Sequence, residues 1–340
     1  MSEMIRLICS EPASPARLKL VSAVKPNPGP DQVLVRVVAS SVNPIDVKRA
    51  AGYGQRLLRL KGAGRFPLVL GNDFVGVVEA VGRSVSRWKA GDKVLGVLPT
   101  GRGGGAHCSH IVSTPELLVP SVGSLPEAEQ AVIPYSFTTV WLAMKGAGLS
   151  EANAAGLNVL VHGASGGLGQ LALELLKKWG ASVTAVCSTE NVDTCRRLGA
   201  DAILDRRSKR LDALETIFDV GLNFGSWQDE QILLSRLRPG ALGFATTVHP
   251  LLSNFDRFGL LKGALRSYGD WREAKRFAAA RAARYSWTLF QPDVTALGAM
   301  KDFLEQRAIS LAVGIVAPFS QAIKAFDHVA RQEKGRAVLV

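Results

Sequence analysis

Residues 159–169, which read Val-Leu-Val-His-Gly-Ala-Ser-Gly-Gly-Leu-Gly, contain the pattern that decides the fold. An apolar run leads straight into Gly163, Gly166 and Gly169. Glycines permit a tight turn and let the backbone approach a pyrophosphate, while the helix that follows offers unpaired N–H groups and a positive dipole end. The spacing is GxxGxxG rather than GxGxxG, so a turn that only packs the helix on the strand stays open. We predict a dinucleotide site here.

The segments after this turn predict an alternation of helices and strands. Apolar side chains recur at helical spacing from Leu168 to Trp179, and Gly180 supplies a helix stop. A second helix is predicted over residues 192–198. Short β-rich runs predict strands at residues 158–162, 182–187, 202–204, 218–223 and 242–248. Such alternation requires a parallel sheet with helices on both faces, so we predict an α/β class with a doubly wound sheet.

Residues 1–120 have a different pattern, with almost no helical periodicity. Strands are predicted at residues 33–38, 74–81 and 93–98, and Gly and Pro residues separate them. This arrangement is typical of a small β-barrel-like domain. Residues 10–15 and 52–65 are predicted to be loops, and the second is a candidate flap rich in cations: Arg56, Arg59, Lys61 and Arg65. A last strand is predicted at residues 337–340.

The composition of the 340 residues is globular, with 47% hydrophobic and 21% charged residues, which excludes disordered, collagen-like and coiled-coil proteins. No apolar run approaches the roughly 20 residues of a membrane-spanning helix. Residues 1–7 resemble neither a signal peptide nor a transit peptide, so we expect a soluble, cytoplasmic protein. The formal net charge of +12 favours anionic partners without choosing among nucleotides, nucleic acids and membrane surfaces. Residues 262–284 are basic and helical in composition.

The end of the second predicted strand indicates which cofactor is used. Sites that prefer NAD usually place Asp or Glu there to accept from the ribose 2′-hydroxyl. This chain has Cys187, Ser188 and Thr189, with no carboxylate at that point. Ser188 can donate to a 2′-phosphate, and Arg206 follows the third predicted strand. We therefore predict a preference for NADPH over NADH, although Ser188 is also a natural N-cap residue for the next helix.

The sequence offers no convincing metal site. The best candidate is the run His107-Cys108-Ser109-His110, in which a strand would place Cys108 and His110 on one face. A zinc site needs further ligands, which we do not find, so we predict that no metal is bound. Hydride transfer to a conjugated carbonyl does not require one, because a hydrogen-bond donor can stabilise the charge that develops on oxygen.

Taken together, these residues resemble the zinc-independent quinone-oxidoreductase branch of the medium-chain dehydrogenase/reductase superfamily. The motifs that carry the resemblance lie at residues 40–49 with Gly52-Tyr53-Gly54, and at residues 66–78, 90–94, 163–169, 198–201 and 334–338. Asn72 stands where zinc-binding members have His, and Asn43 stands where they have the catalytic Cys. Both departures favour a zinc-free member.

The resemblance implies a GroES-like catalytic domain at residues 1–132, completed by 285–340, and a Rossmann NADPH-binding domain at residues 133–284. The active site is expected in the cleft. The residues implied to bind the cofactor are Ser165, Gly166, Gly167 and Leu168 at the pyrophosphate, Ser188 and Arg206 at the 2′-phosphate, Asn223 and Thr247 at the nicotinamide, and Phe290, Lys334 and Gly335 over it. Family members carry Tyr at the Arg206 position. Asn43, Tyr53 and Thr139 are implied on the substrate side.

Each substrate-side residue also has an ordinary structural interpretation. Asn43 precedes Pro44 and is a natural turn residue. Tyr53 can simply cover apolar surface, and the Thr139 hydroxyl can bond to its own helix backbone.

The leading hypothesis is an NADPH-dependent reductase of small quinones or other α,β-unsaturated carbonyls, with Tyr53 and Asn43 as polarising donors. One alternative is an enoyl-thioester reductase, in which the basic loop 56–65 holds a phosphopantetheine or CoA phosphate. An alternative of another class is a non-catalytic module that binds RNA or a protein through the basic segment 262–284. No nucleic acid and no membrane span are expected, and because dimers are common in the family a homodimer stays open.

Overall fold

The computed structural model describes residues 2–101, 104–214 and 217–340. The strands, in chain order, are β1 (Glu3–Cys9), β2 (Leu18–Val24), β3 (Val33–Val42), β4 (Leu68–Val69), β5 (Asp73–Val81), β6 (Lys93–Val97), β7 (His110–Ser113), β8 (Leu118–Pro120), β9 (Asn158–His162), β10 (Ser182–Cys187), β11 (Ala202–Asp205), β12 (Val220–Asn223), β13 (Gly243–Thr246), β14 (Arg284–Trp287), β15 (Val313–Ala317) and β16 (Arg336–Leu339). The α-helices are α1 (Pro44–Ala50), α2 (Gln55–Leu58), α3 (Glu127–Ala131), α4 (Pro134–Gly146), α5 (Glu151–Ala154), α6 (Gly167–Lys178), α7 (Val192–Arg197), α8 (Glu230–Ser235), α9 (Leu251–Ala279), α10 (Val294–Glu305) and α11 (Ala322–Ala330).

The chain divides into two units. The first consists of Met1–Tyr135, Phe255–Leu260 and Gln291–Val340, and the second of Ser136–Asn254 and Leu261–Phe290. The catalytic and cofactor-binding roles expected of two domains stay predictions.

The first unit is built on β-sheets. The larger sheet has the order β15-β16-β3-β5-β6-β8, with β7 also paired to β3, and a small antiparallel sheet has the order β2-β1-β4. Strand β3 is central, and Val33, Val35 and Ala39 on it are buried. Gly76 of β5 faces Val37 of β3, and a Cβ there would lie 2.5 Å from the backbone oxygen of Arg36. The sheet therefore depends on this close backbone contact.

One predicted loop of this unit is partly helical. Residues 52–65 contain α2 and a following 3-10 turn, Arg59–Lys61. The carboxylate of Asp256 accepts from the backbone N–H groups of Gly54 (2.5 Å) and Arg56 (3.2 Å), so it caps the N-terminus of α2. The prediction of a loop was wrong because this cap comes from about 200 residues further along the chain, where no local pattern reveals it.

The second unit contains a parallel sheet of order β11-β10-β9-β12-β13-β14. This is the Rossmann order, which reverses between β9 and β12. Leu160, Val186 and Phe244 are buried among helices, as a parallel sheet requires. The bounds of β9 and β10 are the predicted ones, and the predicted α/β class with a doubly wound sheet is confirmed.

The end of the second unit differs from the sequence-based expectation. Residues 262–284 are not helical throughout, because α9 ends at Ala279 and β14 begins at Arg284. Strand β14 pairs in parallel with β13, so this unit extends to Phe290 and passes the predicted boundary at 285. Helix α9 is itself broken at Gly259 (φ +81°), within the stretch that belongs to the first unit. No helix in the described part of the chain is long and apolar enough to cross a bilayer.

Candidate functional site

The turn between β9 and α6 depends on glycine at two positions. Gly163 has φ +75°, and a Cβ there would lie 2.8 Å from the backbone nitrogen of Gly225. A Cβ at Gly169 would lie 2.4 Å from the backbone oxygen of Gly163. These two glycines bring strand, turn and helix together. Gly166 is different, because its Cβ would meet only the Gly163 oxygen, at 3.4 Å. The space above Gly166 is open.

The helix N-terminus at this turn fits an anion. Gly166 is the N-cap of α6 and provides no side-chain cap, so the amides of the first turn point toward the open space. The Gln170 side chain donates from Nε2 to the Ser165 carbonyl (2.7 Å) and so holds the turn. With Gly167 and Leu168, which begin the helix, these residues form a cradle suited to a dinucleotide pyrophosphate.

The predicted 2′-phosphate residues lie at the same edge of the sheet. Ser188 follows β10 and is 5% exposed, and its hydroxyl accepts from Asn191 Nδ2 (3.0 Å). Arg206 follows β11, and its backbone N–H donates to the Cys187 carbonyl (2.9 Å). The sequence has no carboxylate at residues 187–189, but the structure brings the Glu190 carboxylate next to Ser188. Backbone and Ser188 hydrogen bonds lower the pKa of Glu190, whose carboxylate forms an ion pair with Arg207 at 3.1 Å.

Asn223, at the end of β12, is fully buried and is the centre of a polar network. Its Oδ1 accepts from the ring Nδ1 of His162 (2.8 Å) and from the backbone N–H of Gly225 (3.1 Å). Its Nδ2 donates to Glu230 (2.6 Å) and to the Ser226 carbonyl (2.8 Å). The amide predicted to face a nicotinamide is therefore used within the protein, where it joins β9, β12 and α8.

The network continues to β14 through aromatic residues. Glu230 accepts from the Tyr285 hydroxyl (2.8 Å), which in turn accepts from Trp287 Nε1 (2.8 Å). The Trp287 ring stacks on His249, with centroids 4.8 Å apart and planes 9° apart, and meets Trp227 edge-on. The sequence analysis missed this network. The sequence pattern that could have predicted it is the spacing of Glu230 with Leu233 and Leu234, which places an acidic residue on the buried face of a helix.

Burial controls the ionisation of these groups. Burial raises the pKa of Glu230 to about 7, against the opposing effect of its hydrogen bonds from Asn223 and Tyr285. Burial lowers the pKa of His162, opposed by the bond to Asn223 and by Asp229, whose Oδ2 lies 3.3 Å from Nε2. Burial therefore favours the neutral form of both groups.

Three more predicted residues lie in the second unit. The Thr247 backbone donates to the Asn223 carbonyl (3.1 Å), which places it beside the end of β12. Thr139 is buried in α4, and Phe290 is the last residue of the unit. The structure thus brings Thr247 and Asn223 together at the carboxyl edge of the sheet.

Asn43 lies in the first unit and is fully buried. Its Nδ2 donates to Ser41 Oγ (2.8 Å) and Asp73 Oδ1 (3.3 Å), and its Oδ1 accepts from Arg336. Its backbone N–H donates to Asp46 (2.8 Å). Burial raises the pKa of Asp73 to about 7, opposed by Ser41 and Arg336. The Asn43 amide is therefore part of a closed network of buried charges.

Tyr53 also lies in the first unit, between α1 and α2, with the Lys48 ammonium 5.8 Å from its ring centroid. Burial and the charge of Asp256 raise its pKa. Of the remaining predicted residues, Lys334 is exposed, and Gly335 has φ +84° and its carbonyl accepts from His328 Nε2 (3.1 Å).

The candidate metal run is used in protein contacts. His107 is buried and donates from Nε2 to the Ser41 carbonyl (3.0 Å), while His110 pairs with Glu79 at 2.9 Å. Burial raises the pKa of the Cys108 thiol to about 12. Within residues 2–101, 104–214 and 217–340, no three or more His, Cys, Asp or Glu side chains are grouped to hold a metal.

Comparison with known proteins places this geometry in a family. Residues 29–132 match the family described as the alcohol dehydrogenase GroES-like domain. The chain is 34% identical over 331 residues to the mitochondrial NAD(P)H oxidoreductase RTN4IP1 of Homo sapiens, covering 91% of this chain and 82% of that protein. The chain belongs to the medium-chain dehydrogenase/reductase superfamily. It is an oxidoreductase with a nicotinamide cofactor, and the predicted superfamily and GroES-like domain are confirmed.

Solved structures show the same fold. The quinone oxidoreductase from Coxiella burnetii superposes with a TM-score of 0.83 at 22% identity, over 99% of each chain. The CurK enoyl reductase superposes with a TM-score of 0.76 at 22% identity, over 99% of each chain.

The curated relatives contradict the cytoplasmic prediction. The human relative is mitochondrial by name, and a quinone-oxidoreductase homologue of Spinacia oleracea, 35% identical over 193 residues (56% of this chain and 57% of that protein), is chloroplastic by name. These relatives are organellar by name, so the cytoplasmic prediction was wrong. It rested on the composition of residues 1–7, which says nothing about where relatives reside.

Substitutions at two glycines of the turn should affect cofactor binding and stability separately. We expect Gly166→Ala to keep the fold, with Tm within about 3 °C of the parent, and to raise the Kd for NADPH about tenfold by filling the phosphate space. Gly169→Ala should cost about 2 kcal/mol in the free energy of unfolding, because its methyl group overlaps backbone. Thermal unfolding and fluorescence titration with NADPH check both. Unchanged NADPH affinity in the Gly166 variant would place the phosphates elsewhere.

Glu230 should make stability depend on pH. Its pKa rises from 4.5 to about 7 on folding, so the native state holds more protons in this range and the free energy of unfolding falls as pH rises. Glu230→Gln should reduce the pH-dependent decrease in the free energy of unfolding by up to about 3 kcal/mol. Part of the decrease should remain, because the pKa of buried Asp73 is also raised to about 7. Urea unfolding from pH 5 to 8 measures it, with the exposed Glu116→Gln as control. Parallel curves for parent and Glu230→Gln would contradict a protonated Glu230.

Proposed function

We propose that the protein uses NADPH to reduce a quinone or another α,β-unsaturated carbonyl, without a metal. The observation that carries the proposal is the open cradle above Gly166 at the point where the sheet order reverses, with Ser188 and Arg206 at the same edge. Open α/β sheets bind dinucleotides at this position. The substrate is a small molecule, and a homodimer stays a prediction.

The charges near Ser188 favour NADPH over NADH. The Glu190 carboxylate is paired with Arg207, so its charge is largely compensated. Arg206 is exposed, and its charge reaches the buried His162. Burial is the main cause that lowers the pKa of His162, and the Arg206 charge lowers that pKa further. Asp205 also lies here, and its carboxylate accepts from Thr189 Oγ1 (2.7 Å) and from the Arg207 backbone N–H (2.9 Å). The proposed preference for a 2′-phosphate at Ser188 therefore rests on the Arg206 cation.

Tyr53 is the proposed donor to the substrate oxygen. When bound, NADPH supplies a hydride, and negative charge then develops on the carbonyl oxygen of the acceptor. Because burial and Asp256 raise the pKa of Tyr53, its hydroxyl keeps its proton and can donate. The amide of Asn43 is held by Asp73 and Arg336, so we assign it a positioning role.

The proposal assigns no metal because the two asparagines that replace family ligands are used by the protein. The Asn43 amide lies in its closed network, and Asn72 Nδ2 donates to the Leu98 carbonyl (3.1 Å).

An enoyl-thioester reductase is the second candidate. The observation that favours it is the exposed set of cations around α2: Arg56, Arg59, Lys61 and Arg65. These side chains suit the phosphates of a CoA thioester. Faster turnover of crotonyl-CoA than of a small quinone would favour this candidate.

Cofactor choice should respond to single charges. Arg206→Ala should raise KM for NADPH about tenfold and leave KM for NADH nearly unchanged, because only NADPH carries the 2′-phosphate. Ser188→Asp should do the same and lower KM for NADH, because a carboxylate can accept from the 2′-hydroxyl. Steady-state kinetics measure both, with exposed Arg210→Ala as control. Equal efficiency of the parent with both cofactors would refute the preference.

Removal of the Tyr53 hydroxyl should slow the chemical step. With a small benzoquinone and NADPH, we expect Tyr53→Phe to lower kcat about a hundredfold with little change in KM for NADPH. Loss of NADPH absorbance measures the rate, after dialysis against EDTA, and exposed Tyr268→Phe is the matched control.

Three results would count against the Tyr53 assignment or against the reaction itself. An unchanged kcat in Tyr53→Phe would remove Tyr53 as the donor. Loss of activity in EDTA, or no NADPH oxidation with quinones, enones or enoyl-CoA, would refute the proposed reaction.

A further inference from the structure

The part of α9 in the second unit, Leu261–Ala279, has its largest apolar side chains on the outside. Leu261, Leu265 and Tyr268 are 78%, 67% and 57% exposed. Their spacing of four and three residues places them on one helical face. A surface helix ordinarily turns such a stripe toward the core, so this arrangement is inverted.

The face of α9 that packs on the protein consists of small residues. Its buried positions are Gly263, Ser267, Ala274 and Ala278. Asn254 donates to Ser267 Oγ (3.2 Å), which fixes this face by a hydrogen bond. The helix therefore has its packing partner already, and the exposed leucines add nothing to its attachment. A contiguous exposed apolar stripe of this kind marks an interaction surface.

Cations accompany the apolar stripe. Five exposed basic residues lie on this stretch of the helix: Lys262, Arg266, Arg272, Lys275 and Arg276. The acidic residues are partly engaged, because Asp270 pairs with Arg266 at 3.2 Å and accepts from Asn254, and Glu273 accepts from Gln231. The Lys275 ammonium lies 4.5 Å from the Trp271 ring centroid, so its aliphatic stem runs along an aromatic side chain. By helical spacing the exposed face is apolar over residues 261–268 and positive over residues 272–276, with Lys262 and Arg266 along one side.

We propose that this face of α9, residues 261–276, docks on the surface of an anionic lipid bilayer. Leu261, Leu265 and Tyr268 would enter the boundary between headgroups and acyl chains, while the surrounding cations would meet lipid phosphates. Helices that lie in a membrane interface have this combination of leucine and aromatic residues with Lys and Arg. The proposal is independent of the reaction proposed above.

The charges argue against two other occupants. In a symmetric dimer through this face, the second copy would bring an equal excess of cations into the interface, which disfavours the pairing. RNA would match the cations but would leave Leu261 and Leu265 without an apolar partner, since nucleic acids are bound through phosphates and base stacking. An anionic membrane surface satisfies both the charge and the leucines.

Vesicle sedimentation with the full chain tests the proposal. We expect binding to vesicles of phosphatidylcholine with phosphatidylglycerol, at least about tenfold stronger than to phosphatidylcholine alone, and weaker binding as salt is raised. Leu261→Ser with Leu265→Ser should reduce binding about tenfold or more by removing the inserted side chains. Arg272→Glu with Arg276→Glu should reduce it at least as much.

Matched controls separate local from general effects. Arg83→Glu with Lys89→Glu changes the net charge equally at exposed sites of the first unit, and Val24→Ser with Val316→Ser removes exposed apolar side chains there. Both should keep vesicle binding. Circular dichroism and NADPH oxidation on the same samples report the fold and the chemistry.

Four outcomes would overturn the proposal. These are no binding to anionic vesicles, equal losses in the control variants, conversion of a dimer to a monomer by the leucine substitutions, or RNA binding that the arginine substitutions abolish while vesicle binding is absent. Because NADPH oxidation is measured separately, failure of docking and failure of the proposed reaction are distinguishable.

Discussion

The close approach of three backbone segments at the end of β9 is the constraint on which the second unit depends. Gly163 contacts the backbone at Gly225, Gly169 contacts Gly163, and a Cβ at Gly225 would lie 2.5 Å from the His162 ring. Side chains would force these segments apart. Their absence lets α6 begin directly above the strand ends, where its N-terminus can hold phosphates.

The carboxyl edge of this parallel sheet is stabilised by buried polar groups as well as by apolar packing. Asn223 connects His162 to Glu230, and Glu230 connects to Tyr285 of β14. A buried network of this kind is stabilising only while its members are satisfied, so it fixes one arrangement of four secondary-structure elements. Because burial raises the pKa of Glu230 to about 7, this carboxyl gains and loses its proton near neutral pH, and the stability of the network depends on pH there.

Local patterns predicted the elements whose causes are local. The glycine turn, β9 and β10 were predicted with their bounds because their signals are local: β9 is an apolar run between Gly156 and Gly163, and β10 is a β-rich run that begins shortly after Gly180. Strand β14 was missed, since Arg-Tyr-Ser-Trp has no β-branched run and its partner β13 lies about 40 residues earlier.

The candidate site was likewise predictable only where its cause is local in the sequence. The glycine turn that we propose as the phosphate cradle follows from a local motif, but the role of Asn43 does not. Its amide is used by Arg336, 293 residues away, and no spacing in the sequence reveals such a contact. Likewise, the helix α2 beside Tyr53 exists because Asp256 caps it. Residue types that suit catalysis also suit buried networks, and only tertiary contacts distinguish the two.

The effect of the positive net charge depends on where the basic side chains lie in the structure. Burial lowers the pKa of Arg49, which is buried, and of Arg336, which is half-buried. Asp46 opposes this effect most at Arg49 and Asp73 most at Arg336. Because buried carboxylates face them, these two cations contribute little to any external field. Arg207 is compensated by Glu190. Arg272 and Arg276 instead project from a helix face beside exposed leucines. A charge total treats all these residues alike, whereas the field that a partner meets comes from exposed cations, which include the set around α2 as well as those on α9. On α9 these cations occur together with exposed apolar area.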